Sequence, residues 1–302
     1  MPTANEKTMG IGEFYALICA VLWGTAIILF KHSGNSMSAD SLNLIKNCLG
    51  FALLVPTAFV FEGANLPDLS ALDWLIVIAT GYFGIAVADS WYFQALRHLG
   101  AGRTAIVGSL YSPFVVILSI LILGESLDWW KWSGFVMVLT GILVVVYQRH
   151  YQEIDRAELI KGVSLAACSV FLTALGVVLM KPVLGNQGFF WIVTLRLLAG
   201  AVGLMIYLIL RKRLMTTIAI MRDGQHKWPS IIAASVLGSY LAMMFWLAGF
   251  KYADASVASV LNETSNIFVI LMAWLFLKEE LKPRKILGVA IAFTGVVVFI
   301  AA

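Results

Sequence analysis

The sequence predicts an all-α membrane protein: ten transmembrane helices arranged as two five-helix repeats of inverted topology. Three observations carry this. Hydrophobic residues fill 61% of the 302 positions and charged residues only 13%, which excludes a soluble domain with a polar exterior. Ten stretches approach the roughly 20 mostly apolar residues that a bilayer-crossing helix needs. The second half also repeats the first. At an offset of 150, Ala16 falls on Ala166, Lys31 on Lys181, Lys46 on Arg196 and Gly50 on Gly200. At an offset of 154, Gly84 falls on Gly238, Arg97 on Lys251, Phe114 on Phe268, Glu125 on Glu279, Leu127 on Leu281, Gly134 on Gly288 and Gly141 on Gly295. Five crossings per copy is an odd number, so the second copy is expected to cross the bilayer in the opposite sense to the first.

A tail of residues 1–12 precedes the first repeat, 13–147, whose spans 1 to 5 are read at 13–31, 40–61, 72–96, 104–123 and 130–147. A link at 148–160 leads into the second repeat, 161–300, with spans 6 to 10 at 161–181, 189–210, 230–250, 255–277 and 284–300. Span 1 is followed by Lys31-His32, not by a small-residue cleavage site, and is too long for a signal core, so it reads as a mature helix. Pro56, Pro113 and Pro182 interrupt or end spans 2, 4 and 6, and Pro113 frees a backbone carbonyl in span 4. Gly134 and Gly141, like Gly288 and Gly295, give spans 5 and 10 small faces for close contact. The link and the 211–229 stretch are the longest connections, and they leave no room for a soluble catalytic domain.

Several classes of function are excluded. Cys19, Cys48 and Cys168 lie inside apolar spans and read as packing residues, with no disulfide expected. His32, His98, His150 and His226 fall at helix ends or in loops without metal-ligand spacing, so neither a metal nor a cofactor is expected. No glycine-rich phosphate loop, nucleophile elbow or paired-carboxylate motif points to an enzyme. The net charge of +4 comes from bases spread over helix ends, which suits lipid head groups and not nucleic acid. Of the 21 Lys and Arg, Lys46 and Arg196 are buried in spans; fifteen of the others fall on one side and only Lys7, Lys131, Lys181 and Lys251 on the side of the termini. The positive-inside rule then places both termini outside the cytoplasm.

Four ionisable residues cannot reach the interface. Lys46 near the start of span 2 and Asp89 near the end of span 3 each lie about 10 Å inside the same face, at 1.5 Å rise per residue. Arg196 of span 7 and Glu263 of span 9 lie level with each other near the opposite face, giving one acid–base pair per half. An isolated charge at membrane depth costs at least about 2.5–3.5 kcal/mol, so such groups face a partner or an aqueous cavity. Static bridges could hold the halves together, but the acids break the repeat: Asp89 matches Met243, and Glu263 matches Ser109. That asymmetry suits a directional pathway. Asn43 and Asn47 beside Lys46, and Asn262 and Asn266 beside Glu263, add amides suited to hydrogen-bonding amino, carboxyl or hydroxyl groups. Trp23, too deep for an interfacial belt, and Trp91 and Tyr111 are expected to line the same cavity.

The paired motifs resemble the EamA-type branch of the drug/metabolite transporter superfamily over nearly the whole chain. The motifs are Trp23-Gly24, the base in the second span of each half, and Leu123-Gly124-Glu125-Ser126-Leu127 with Leu277-Lys278-Glu279-Glu280-Leu281, each followed by two glycines seven apart. The resemblance implies a ten-helix carrier that exports or exchanges small metabolites, often amino acids, driven by protons or by exchange. The chain departs from that pattern at Lys278, where the first half has Gly124, at Thr173, where a Trp is expected, and in its charge bias, which opposes the family's cytoplasmic termini. The expected function is therefore secondary active transport of small polar metabolites, amino acids or related carboxylates, in the bacterial inner membrane by alternating access. Lys46 and Arg196 would attract the carboxylate, and Asp89 or Glu263 would bind an amine or carry a coupled proton. The expected partners are a small-molecule substrate, that proton and membrane lipid; the sequence sets no oligomeric state and is compatible with a monomer. The alternative is a flippase for a phosphorylated lipid carrier or a phospholipid, whose charged cavity would open sideways to lipid.

Overall fold

The computed structural model describes residues 10–33, 39–147, 155–185, 188–223, 226–277 and 283–301. The tail before residue 10, residues 148–154 of the link and the Lys278–Leu281 motif lie outside these. Among the described residues there is no strand, and ten helices are long and apolar enough to cross a membrane. The unbroken helices are Ile11–Ser33, Ala39–Glu62, Trp129–Val146, Arg156–Leu184, Phe189–Leu210 and Pro283–Ala301, which form spans 1, 2, 5, 6, 7 and 10.

Polar side chains set where several helices begin. Ser70 and Asp73 form a reciprocal capping box at the start of Ala71–Gly81, with the Ser70 hydroxyl accepting from the Asp73 N–H at 3.1 Å. Asp128 accepts from the Lys131 N–H at the start of span 5, and Asp155 accepts from the Ala157 N–H at the start of span 6. Gly100, at φ 73°, turns the chain from span 3 into span 4, a backbone conformation that favours glycine.

Spans 3 and 8 contain π-helical turns at Tyr82–Val87 and Val236–Ala242, which begin 154 residues apart, the offset of the sequence repeat. Spans 4 and 9 are likewise broken at matching places, after Gly108 and after Asn262. Pro113 explains the first break, because it has no N–H to reach the Ser109 carbonyl. The second has Ile267 at the matching position. Both breaks carry a hydroxyl that donates back three residues, Ser109 to the Ile106 carbonyl at 2.7 Å and Thr264 to the Leu261 carbonyl at 2.6 Å. Such bonds compete with the helix ladder.

Spans 5 and 10 pack together through their glycines. A Cβ on Gly141 would lie 2.4 Å from the Ala292 nitrogen, and one on Gly134 would lie 2.7 Å from the Phe299 nitrogen. The 211–229 stretch, read as a plain connection, instead holds a helix at Leu214–Asp223. Its ten residues are too short to span a bilayer, which is why a search for spans passes over it.

Candidate functional site

A cavity of about 360 Å³ lies among eight of the ten spans, with the described residues of spans 5 and 10 outside it. That volume falls in the range of about 300–1,000 Å³ usual for small-molecule sites. Lys46, Asp89, Arg196, Glu263, Asn262, Asn266, Trp23 and Tyr111 all line it.

Asn43, Asn47 and Trp91 do not, contrary to expectation. The Asn47 amide donates to the Asn43 carbonyl oxygen at 3.1 Å, one helical turn away, and both residues are buried against other helices. Trp91 sits two residues beyond Asp89, about 200° around the helix, whereas Tyr92, at i+3, shares the face of Asp89 and lines the cavity.

The two acid–base pairs differ. Lys46 Nζ lies 3.2 Å from Asp89 Oδ2, with side chains 14% and 32% exposed. Arg196 and Glu263 form no such pair. Arg196, 1% exposed, lays its guanidinium 5.2 Å from the centroid of Trp246, with Nη1 3.9 Å from Met243 Sδ. Its Nε has no hydrogen-bond partner among the described residues. Glycines make room for its Nη2: a Cβ on Gly84 would approach to 3.4 Å and one on Gly176 to 3.8 Å. Glu263, also buried, accepts from Asn266 Nδ2, three residues ahead, at 3.0 Å, and the same amide lies 3.3 Å from the Glu263 backbone carbonyl. Aromatic contact draws the guanidinium to span 8, while local hydrogen bonds hold the carboxyl on span 9. Asn262 leaves both amide atoms buried without partners among the described residues.

Met243 and Trp246 join the cavity beyond the residues expected from the sequence, although the repeat points to them. They match Asp89 and Tyr92 at the offset of 154, and all four line the cavity. The π-helical turns sit directly before both pairs. Gly238 in the second turn is also where a Cβ would meet Trp23 at 3.4 Å, so each turn's glycine lies against a cavity residue.

On the side of the chain termini, carboxylates from the first half cap helices of the second. Glu125 accepts from the Ala255 N–H at 2.6 Å, the Ser256 N–H at 2.9 Å and the Ser256 hydroxyl at 2.8 Å, and Lys181 Nζ lies at 3.1 Å. Lys181 also donates to the Ala253 carbonyl. Burial raises the Glu125 carboxyl, but the N–H groups of Ser256 and Ala255, the Ser256 hydroxyl and the Lys181 charge together hold it below the usual carboxylate range. Glu62 accepts from the N–H groups of Phe190 and Trp191, each at 3.0 Å, at the start of span 7. Ser112 and Ser259 meet at 3.3 Å where spans 4 and 9 pass. The sequence shows Glu125 as a position of the internal repeat and of the family motif; its helix-capping role is visible in three dimensions alone.

Ten membrane-length helices, eight of them around a chamber where charged and amide side chains meet apolar walls, define an integral, multi-pass membrane protein. The sequence model of the EamA-like transporter family matches residues 10–147 and again 160–301, so the chain belongs to that family and is a membrane transporter. The transporter YxxF of Bacillus subtilis is 26% identical over 147 residues, a match covering 49% of this chain and 46% of that protein. The chain thus spans about half the length of that curated relative. A transporter of Archaeoglobus fulgidus is 21% identical over 94% of this chain and 96% of its own. One crystal structure superposes with a TM-score of 0.77 over 95% of both chains at 16% identity, a likeness of fold alone.

Proposed function

We propose that this protein is a secondary active transporter of amino acids or related small carboxylates, working by alternating access between two repeats of inverted topology in a bacterial inner membrane. The observation that carries this is Arg196: a guanidinium 1% exposed, on the cavity wall, with its Nε unpartnered among the described residues and no carboxylate paired to it. A buried base in that condition is costly unless an anion joins it, and its planar fork matches a carboxylate. Asn262 and the faces of Trp23 and Tyr111 supply hydrogen bonds and apolar contact for the rest of the cargo. The Lys46–Asp89 pair, more exposed and already joined, acts as a gate toward the side opposite the termini, and Glu125 with Lys181 ties the side of the termini. Glu263, buried and apart from Arg196, carries the coupled proton.

The test is an untargeted comparison of small molecules accumulated or lost by cells overproducing the protein and its Arg196→Ala variant. A change in amino acids or small carboxylates that Arg196→Ala abolishes supports the proposal. A change confined to lipid species would point instead to the flippase reading.

A further inference from the structure

The short helix Leu214–Asp223, between spans 7 and 8, has two apolar flanks, and only one of them is covered by protein. Leu214 and Met221 pack on a small core of Leu44, Ala86, Leu204 and Leu208, and Thr217 between them is 3% exposed. At 100° per residue, Ile218 and Met215 lie on the next flank around, and they stand 44% and 79% exposed. Arg222 falls between Ile218 and Met215 on that flank, Ala219 lies next to Met215, and Thr216 is on the far side. One flank on protein and the next carrying bare apolar side chains around a single base, whose long stem can reach the head groups, is the pattern of a helix lying in a membrane interface.

Charge adds a second, independent observation. Arg211, Lys212, Arg213, Arg222 and Lys227 bracket the helix, against one acidic residue, Asp223. Arg211, Lys212, Arg213 and Arg222 are exposed. Lys212 has a φ of 55°, and the Lys212 and Arg213 N–H groups close on the Ile209 and Leu208 carbonyls, so the chain turns sharply out of span 7 and sets the basic residues at its end. Arg211 stacks its guanidinium 5.7 Å over Tyr207. At the other end His226 bonds the Ile220 carbonyl at 2.6 Å and meets the Trp228 ring edge-on.

We infer that Leu214–Asp223 is an interfacial helix that binds the head groups of anionic phospholipids, with Met215 and Ile218 immersed at the acyl boundary and Arg211, Lys212, Arg213 and Arg222 on the phosphates. Its inner flank rests on Leu44, two residues before Lys46, so lipid bound there buttresses the span that carries one arm of the Lys46–Asp89 pair. The inference rests on placement in a bilayer and not on the proposed cargo.

Two measurements on the full chain test it. With Cys19, Cys48 and Cys168 replaced by Ala, a polarity-sensitive fluorophore is attached to Ile218→Cys or, on the far side of the helix, to Thr216→Cys and followed on transfer from detergent into phosphatidylglycerol-containing vesicles. A blue shift at position 218 that is absent at 216 supports immersion; equal spectra overturn it. In detergent, phosphatidylglycerol and phosphatidylcholine retained by the purified protein are compared by native mass spectrometry. A base near the membrane surface contributes about fivefold, so Arg211→Gln with Arg222→Gln is expected to lower phosphatidylglycerol retention by at least about tenfold. No preference between the two lipids, or a preference that excess inorganic phosphate abolishes, overturns the assignment. Since the fluorophore measurement leaves every base in place, it decides the matter even where the double variant folds poorly.

Discussion

Replacing Glu125 with Gln should open the side of the molecule that carries the chain termini. The Glu125 carboxylate takes four donors: two backbone N–H groups at the start of span 9, the Ser256 hydroxyl and the Lys181 ammonium. A Gln carbonyl oxygen keeps two at most, and its NH2 then faces donors. Hydrogen bonds to a charged group contribute about 1.5–3 kcal/mol each, and loss of a helix cap alone about 1 kcal/mol, so a cost of about 2–4 kcal/mol to the closed arrangement is reasonable. At 1.4 kcal/mol per decade this raises the open population about 30- to 700-fold. The assay uses Ser259→Cys on the Cys-free background, because Ser259 is fully buried one helical turn inside the Glu125 contacts. The labelling rate by a membrane-impermeant maleimide, added from the side of the termini, then follows the open fraction. pH supplies a second arm. A carboxyl held below its ordinary range contributes closure fully above that range and loses it as pH falls through the lowered value. Normalised to an exposed reference cysteine, which corrects for the thiolate fraction lost in acid, labelling should therefore speed up only below the ordinary carboxylate range, and the normalised rate of Glu125→Gln should stay flat. Less than about a threefold change in a folded Glu125→Gln protein would refute the reasoning.

Other perturbations address separate parts of the molecule. A reporter active only in the cytoplasm should give signal when fused after Arg213 and none at Ala302; the reverse would show that the charge bias misleads about orientation. Glu263→Gln should make transport indifferent to an imposed pH gradient yet retain substrate exchange, whereas Asp89→Asn should weaken both; full pH-driven transport by Glu263→Gln vesicles would remove Glu263 from coupling. Gly141→Ala, whose Cβ would press on the backbone of span 10, is expected to cost about 1–3 kcal/mol, read as a lower unfolding midpoint in detergent. Gly108→Ala, whose Cβ meets nothing within 4 Å, should leave that midpoint unchanged or raise it.

The spans and the chamber were legible in the sequence because bilayer thickness fixes helix length and because buried charge is rare enough to stand out. Lys46, Asp89, Arg196 and Glu263 could be placed by depth alone. Depth, however, carries no rotation about the helix axis. Trp91 is the aromatic expected in the cavity, yet Tyr92 has the i+3 spacing from Asp89, and Arg196 is expected level with Glu263, yet its guanidinium rests on the Trp246 face and the Met243 sulfur. The π-helical turn of span 8 explains part of the second difference, since it rotates Met243 and Trp246, which follow it. The capping of spans 7 and 9 by Glu62 and Glu125 was beyond reach for a different reason: these contacts join residues more than a hundred positions apart. The short helix at Leu214–Asp223 escaped because its signal is a partial amphipathic face and not a run of apolar residues.

Arg196 as the anchor for a carboxylate is tested most directly by counterflow in proteoliposomes. Vesicles are preloaded with a mixture of unlabelled amino acids and small carboxylates, and uptake of each labelled species is followed for the native protein, Arg196→Lys and Arg196→Ala. The native protein should accumulate at least one carboxylate, Arg196→Lys should do so weakly because an ammonium lacks the planar fork, and Arg196→Ala should not do so at all while eluting as a folded protein. Undiminished carboxylate counterflow in folded Arg196→Ala would contradict the assignment of this residue, and with it the cargo class.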